Sequence, residues 1–332
     1  MRKSDAVARV GLVLGDPAGV GAELAARLLD ALPREAIARM TVIGDSRQLA
    51  AGARVAGVRL PEVALLDRAN ADPQAIPLGR ACADGGRAAL DNFGAALELA
   101  RQDVLDAVCF TPFNKQALRL AGNRFEDELR FAADFLDWRG PVGEFNILER
   151  LWNARVTSHV PLARVASLLS VARIVEAIAL TDAAMRAAGF GRPRIAVAAL
   201  NPHAGEGGAF GREEIEVIGP AVDAAKQQGI EASGPYPADT VYVRARDGAF
   251  DAVVSMYHDQ GQIAMKLLGF ERGVTLLGGL PLPITTPAQG TAYDIAGRGI
   301  ARCSALEQAF ALASAMGAAK RGRIVHSPTG EL

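Results

Sequence analysis

Cysteine is scarce in this 332-residue chain, and the scarcity excludes a good deal. The three thiols, Cys82, Cys109 and Cys303, are odd in number, widely spaced and nowhere arranged as CxxC. A disulfide framework or a paired-cysteine metal motif is therefore not expected, and the three read as reduced thiols packed as small hydrophobes. Charge of one sign is lacking too. Thirty-six Lys and Arg against 37 Asp and Glu leave a formal net charge of −1, which gives no electrostatic ground for a nucleic-acid or lipid partner. No uninterrupted apolar run reaches roughly 18 residues, so no membrane span is expected. Internal repeats, low-complexity tracts and flexible linkers are also missing. Met1-Arg2-Lys3-Ser4-Asp5 leads into a short apolar run before Gly15-Asp16-Pro17, which reads as a first strand and not as a signal peptide. The expectation is a cytoplasmic globular protein of one large or two medium domains.

What is present is an alternation of short apolar runs with longer helical patterns, the signature of an α/β fold with a largely parallel sheet. Strands are expected at Val10–Leu14, Met40–Ile43, Val63–Leu66, Ala107–Phe110, Arg155–Thr157, Ile195–Leu200 and Ala252–Met256. Helical spacing marks Arg87–Gln102 and Val171–Ala188. In the second, Val171, Ile174, Val175, Ile178 and Met185 share a face, with Ser170 as N-cap and Gly189 as stop. Glycine and proline gather at 15–21, 201–211 and 278–290, where strands end and open α/β sheets bind ligands.

Histidine is rare as well, but its placement is informative. Three of the four sit in short polar loop signatures, each after a strand-like run: His159 in Thr157-Ser158-His159-Val160-Pro161, His203 in Asn201-Pro202-His203-Ala204-Gly205-Glu206-Gly207, and His258 in Tyr257-His258-Asp259-Gln260-Gly261. Any one alone reads equally as an ordinary loop or half-buried histidine. Jointly they match a three-histidine site for a divalent metal with one open position.

Other loops stay ambiguous on their own residues. Gly15-Asp16-Pro17-Ala18-Gly19-Val20-Gly21-Ala22-Glu23 can cradle a phosphate or carboxylate at a helix start, or can be a tight strand-to-helix turn. Its spacing is neither GxGxxG nor a P-loop. Asp45 reads as a helix N-cap. Lys115, after Thr111-Pro112-Phe113-Asn114, and Lys266, beyond His258, can hold an anion or move a proton, or can simply reach into water. In Gly290-Thr291-Ala292-Tyr293-Asp294 the carboxylate can accept from a ribose diol, or the stretch can be a glycine-bounded helix start.

Taken in order, GDPAGVGAE at 15–23, the TPxNK-like loop at 111–115, SHVPL at 158–162, NPHAGEGG at 201–208, YHDQG at 257–261 and GTAYDIAGRG at 290–299 resemble the 4-hydroxythreonine-4-phosphate dehydrogenase family along nearly the whole chain. These are the pyridoxal phosphate (pyridoxine) biosynthetic proteins. The last motif is also similar to the NAD-binding loop of isopropylmalate and isocitrate dehydrogenases. The resemblance implies a two-lobed isopropylmalate-dehydrogenase-like α/β fold, with a mainly parallel sheet and a cleft between lobes. The first lobe would span 1–125 and 270–332 with the cofactor loop, and the second 126–269 with the metal site and dimer interface. It also implies an obligate homodimer with shared active sites. One divalent metal per site, zinc foremost with magnesium or cobalt as alternatives, would be held by His159 and His203 of one subunit and His258 of the partner subunit. NAD or NADP would lie on Gly290, Thr291, Ala292 and Asp294. Lys266 falls on the family's substrate lysine, and Lys266, Lys115 and Asp259 are the catalytic candidates.

The departures from the pattern bear on substrate. Glu126 and Asp127 stand where the family has a His-Thr pair, Thr275 replaces its substrate asparagine, Ile284 its phosphate-binding arginine and Gln289 a loop histidine. Losing a guanidinium and gaining acids removes the positive, bidentate surroundings of a phosphate dianion. The implied reaction oxidises a secondary alcohol next to a carboxylate-bearing carbon. Hydride passes to the nicotinamide, and the β-keto acid then loses carbon dioxide. Non-phosphorylated 3-hydroxy acids or terephthalate cis-dihydrodiol are alternative substrates. Two other classes stay open: a metal-dependent hydrolase or aldolase using the same histidines without nicotinamide, and a non-catalytic carboxylate-binding paralogue.

Overall fold

Val10–Val13 and Ala107–Phe110 are apolar runs without polar alternation, and such runs suit strands covered on both faces. Every residue of both is buried. The computed structural model describes residues 7–326. Its described residues divide into two compact units, one within Met1–Arg139 and Leu280–Leu332 and the other within Gly140–Gly279.

In the first unit β1 (Val10–Val13), β2 (Met40–Gly44), β3 (Ala64–Asp67), β4 (Ala107–Phe110) and β11 (Ile284–Pro287) run parallel in the order β3-β2-β1-β4-β11. Its helices are α1 (Gly21–Ala31), α2 (Arg34–Ile37), α3 (Ser46–Ala56), α4 (Ala83–Arg101), α5 (Lys115–Leu120), α6 (Glu128–Phe135) and α12 (Ser304–His326). Four begin on side-chain caps, among them α4, where Cys82 Sγ accepts from Gly85 N (3.4 Å). Asp45 accepts from Arg47 N (2.8 Å), Asn114 from Ala117 N (2.9 Å) and Asp127 from Arg130 N (2.8 Å), each covering an otherwise unpaired first-turn N–H. The core includes a phenylalanine cluster in which Phe93 of α4 packs on Phe110, Phe113 and Phe131 with centroids 5.2, 5.5 and 5.7 Å away.

In the second unit β5 (Gly143–Leu148), β6 (Leu151–Arg155), β7 (Ile195–Ala198), β8 (Ala232–Tyr236), β9 (Ala252–Ser255) and β10 (Val274–Gly278) follow the order β10-β5-β6-β9-β7-β8. The β10-β5-β6 pairings are antiparallel and the β6-β9-β7-β8 pairings parallel. Its helices are α7 (Val165–Leu168), α8 (Val171–Ala187), α9 (Gly219–Gln227), α10 (Ala238–Arg246) and α11 (His258–Gly269). Ser170 caps α8 as its sequence implies, its Oγ accepting from Arg173 N at 3.3 Å.

The α/β class and the prevalence of parallel strands are as the sequence implies. The joints between units, at 139/140 and 279/280, lie downstream of the 125/126 and 269/270 drawn from it. Two contacts account for this. Phe131 stacks on Phe93, which ties α6 to the first unit, and β10 pairs with β5, which ties residues 274–278 to the second. The strand expected at Arg155–Thr157 is Leu151–Arg155 instead, because β6 makes a hairpin with β5 and buries Trp152 against Phe145 (5.6 Å). Among the described residues no helix is long and apolar enough to cross a membrane.

Candidate functional site

Three neighbouring strands of the second unit each lead into one of the histidine motifs. β6, β9 and β7 are adjacent and mutually parallel, so their carboxyl ends lie on one edge. His159 follows β6, His258 opens α11 after β9, and His203 follows β7. The rings of His159 and His258 stand 5.6 Å apart between centroids. Two imidazoles bound to one ion at ordinary metal–nitrogen distances would be separated by roughly 5–6 Å, a range that includes this separation.

The supports of these rings are specific. His258 Nδ1 donates to Asp259 Oδ1 at 2.7 Å. A carboxylate accepts only, so the pair sets the Nδ1–H tautomer and leaves the Nε2 lone pair for a ligand, as in carboxylate–histidine–metal arrangements. Gln260, on the same turn, accepts from Met256 N and donates to Ala199 O, both at 2.7 Å, lacing the end of β9 to the end of β7. His203 lies in a loop that turns left-handed for five consecutive residues, from His203 (φ 52°, ψ 31°) to Gly207 (φ 64°, ψ 19°). Outside glycine this conformation costs about 1–2 kcal/mol per residue, and His203, Ala204 and Glu206 all adopt it. The buried carboxylate of Glu214 offsets the cost. It accepts from Leu200 N (2.9 Å), Asn201 N (2.7 Å) and Asn201 Nδ2 (2.9 Å), which fixes the entry to the loop.

The first unit gathers a second set of motifs. Gly15 N donates to Thr111 Oγ1 (2.7 Å) and Asp16 N to Pro112 O (3.0 Å), joining the loops after β1 and β4. Val20 N donates to Thr291 O (3.0 Å), and Asn114 Nδ2 lies 3.5 Å from Thr291 Oγ1. A Cβ on Gly19 would meet Thr291 O at 2.7 Å, so this approach requires glycine. Tyr293 OH donates to Asp16 Oδ2 at 2.5 Å. Burial pushes the Asp16 carboxyl above its ordinary value, against the opposing hydrogen bonds of Tyr293 and Ala18 N. Asp16 is thus a loop organiser, turned inward and buried.

The remaining sequence candidates fall as follows. Gly290 and Asp294 are exposed, Thr291 is buried, and Ala292 holds a left-handed turn (φ 44°). Lys115 is exposed on the first turn of α5 and Lys266 exposed on α11. Asp127 is the buried N-cap of α6, and Glu126 beside it is exposed. Thr275 lies on β10 opposite Asn146 of β5. Ile284 is fully buried in β11, paired with Val108, and is a core residue. Asp45 is the N-cap its sequence suggests. Sequence reading missed Glu214, Gln260, Asn146 and Arg155. The available signal was a charged residue, Arg155, closing the otherwise uncharged strand Leu151–Ala154.

A mainly parallel α/β chain with glycine and histidine loops at strand ends has the constitution of a small-molecule enzyme. Residues 36–313 match the family described as Pyridoxal phosphate biosynthetic protein PdxA, and the chain belongs to that family. It is 52% identical over 327 residues, 94% of each chain, to a Rhizobium meliloti (strain 1021) protein provisionally named 4-hydroxythreonine-4-phosphate dehydrogenase 2. It is 37% identical to the D-threonate 4-phosphate dehydrogenase of Cupriavidus necator, covering 90% of this chain and 94% of that one. Among solved structures it is similar to the 4-hydroxythreonine-4-phosphate dehydrogenase of Klebsiella pneumoniae, with a TM-score of 0.81, 34% identity and coverage of 95% and 99%. A terephthalate 1,2-cis-dihydrodiol dehydrogenase from Burkholderia xenovorans LB400 is similar at a TM-score of 0.65 and 28% identity, with 93% and 98% covered. These named relatives are dehydrogenases, and they do not share one substrate.

Proposed function

We propose that the chain is a divalent-metal-dependent dehydrogenase, using NAD or NADP, that oxidises and decarboxylates a small 3-hydroxy acid of the 4-hydroxythreonine-4-phosphate type. The observation that carries this reading is the delivery of His159, His258 and His203 from the carboxyl ends of three adjacent parallel strands. Neutral imidazoles suit a divalent transition ion, zinc first among them. When bound, the metal acts as a Lewis acid toward the reacting oxygens and the nicotinamide accepts the hydride. The chain's own groups hold and orient. Asp259 fixes the His258 ring, Glu214 holds the His203 loop, and the exposed ammonium of Lys266 on α11 is the candidate anchor for the substrate carboxylate. Lys115 is the candidate for moving a proton. Gly290, Thr291, Ala292 and Asp294 would hold the dinucleotide, since this loop is already fixed against Val20. A cytoplasmic site of action goes with such metabolism.

Non-phosphorylated substrates form a second reading. The observation favouring it is Ile284, fully buried where the family places a phosphate-binding arginine. With zinc supplied, a panel of phosphorylated and non-phosphorylated 3-hydroxy acids and dihydrodiol carboxylates should give chelator-sensitive reduction of NAD or NADP with at least one member. Reduction unaffected by chelation, or none with any member, would contradict the reading.

Homodimerisation is part of the proposal. Val160 and Leu162 beside His159, Phe210 and Ile215 beyond His203, and Ile263 and Leu267 one turn apart on α11 are all exposed. Apolar side chains left open this way suit cover by a second copy. The resemblance assigns His258 to the partner's site, whereas within one chain His159 and His258 already stand side by side. Mixing His159→Ala with His258→Ala protein decides between these. Recovered activity in heterodimers means a shared site, and none means that each site draws both histidines from one chain.

A further inference from the structure

Beneath the histidine loops lies a polar assembly that the proposed chemistry does not use. Glu144 and Asn146 on β5, Arg155 on β6 and Thr275 on β10 share one face of the sheet, with Asn146 opposite Asn153 and Thr275 opposite Asn146. Only 4% of the Arg155 side chain is exposed, and 16% of Glu144. The Arg155 guanidinium spends its donors in three directions. It pairs with the Glu144 carboxylate through one terminal nitrogen. Its other terminal nitrogen donates to Asn146 Oδ1 at 2.8 Å, and Nε donates to Ser158 Oγ at 3.0 Å. Asn146 Oδ1 accepts a second hydrogen bond, from Gln262 Nε2 at 2.6 Å. Gln262 lies one turn beyond His258 on α11, and Ser158 directly precedes His159.

The connection therefore runs from the His159 loop through Ser158, Arg155, Asn146 and Gln262 into the helix that carries His258. A buried ion pair is weak evidence for stability, because desolvation offsets most of the attraction and apolar replacements are often neutral. What it can supply is geometry, since a guanidinium fork fixes its partners in a plane. We propose that Arg155, held by Glu144, is a positioning residue that fixes the His159 loop and the first turns of α11, and through them sets His159 and His258 as metal ligands, whether each site is completed within one chain or across two. The proposal rests on the metal reading above, and it makes Glu144 and Arg155 determinants of metal affinity in place of fold.

The test is titration of the full-length protein with zinc alone, against a chromophoric chelator, for the wild type and three variants. In Glu144→Leu/Arg155→Leu both charges go together and no unpaired ion is left behind. This variant is expected to melt within a few degrees of wild type while binding zinc about 10–100-fold more weakly, the usual effect of losing a ligand's outer support. Arg155→Lys, which keeps the charge but not the fork, should recover part of that loss. Gln262→Met cuts only the link to α11 and serves if the double variant does not fold; it should also weaken zinc binding and alter the visible spectrum of bound cobalt(II). Wild-type zinc affinity in a folded double variant, or in Gln262→Met should the double variant fail to fold, would overturn the proposal. A wild type that binds no zinc would overturn the metal reading and this inference with it, and the wild-type titration alone reveals that case.

Discussion

At His203 the backbone is held against its own preference, and a single side chain does much of the holding. Glu214 accepts three hydrogen bonds at the entry to the left-handed loop. Glu214→Ala removes the acceptor of the Leu200 and Asn201 backbone amides, while Asn201 Nδ2 keeps Glu213, and should cost on the order of 2–3 kcal/mol. A lower denaturant midpoint together with weaker zinc binding is the expected result, and an unchanged midpoint would contradict it. Asp106 gives a residue-scale prediction about pH. Burial acts to raise its pKa, but hydrogen bonds from the Arg9 side chain and amide and from Arg321 outweigh it and hold the carboxyl at about 2, below the ordinary 3.8. A depressed folded-state value contributes stability that is complete above the unfolded pKa and lost as pH falls through the folded one. The loss therefore belongs between about pH 4 and pH 2. Because both arginines are about a third exposed, roughly 1–2 kcal/mol is expected, absent from the acid limb of Asp106→Asn. Ile284 completes the set. Arginine placed at this fully buried position should destabilise the fold by several kcal/mol, detectable as a drop in melting temperature, before it can serve any substrate phosphate.

At the scale of elements α11 matters most, since it carries His258, Gln260, Gln262 and Lys266. Its close seat on β6 depends on Gly261, where a Cβ would lie 2.3 Å from Asn153 Oδ1. Gly261→Ala is expected to lift the helix, cost about 1–3 kcal/mol by overpacking and lower zinc affinity. An alanine variant with wild-type affinity would show that the helix tolerates the shift. The sequence made α11 visible only in part, because its motif reads as a loop until His258 is seen to open the helix. Strands β1, β2, β4 and β9 were legible as apolar runs buried on both faces. Others were not, for physical reasons. β5 alternates Glu144 and Asn146 with Phe145 and Ile147, β8 contains Gly234-Pro235, and three of the four residues of β11 are threonine or proline. The histidines could be picked out because each stands in a distinctive glycine- or proline-marked loop. Their supports could not, since Glu214 with Leu200, Glu144 with Arg155 and Asn146 with Gln262 meet only after the chain has folded.

For the whole molecule, the proposal makes two copies the working unit and three histidines its chemical centre. The exposed Ile263 and Leu267 pair bears on the first point. Replacing both with glutamate should shift the protein toward monomer in sedimentation, and a variant that stays dimeric would place the interface elsewhere. The central claim has a more direct test in a crystal structure of the zinc-loaded protein with anomalous scattering measured at the zinc edge. The account predicts one peak per site, about 2.0–2.2 Å from a ring nitrogen of each of His159, His203 and His258. A fully occupied peak more than about 4 Å from any of the three, well outside bonding range, would contradict it.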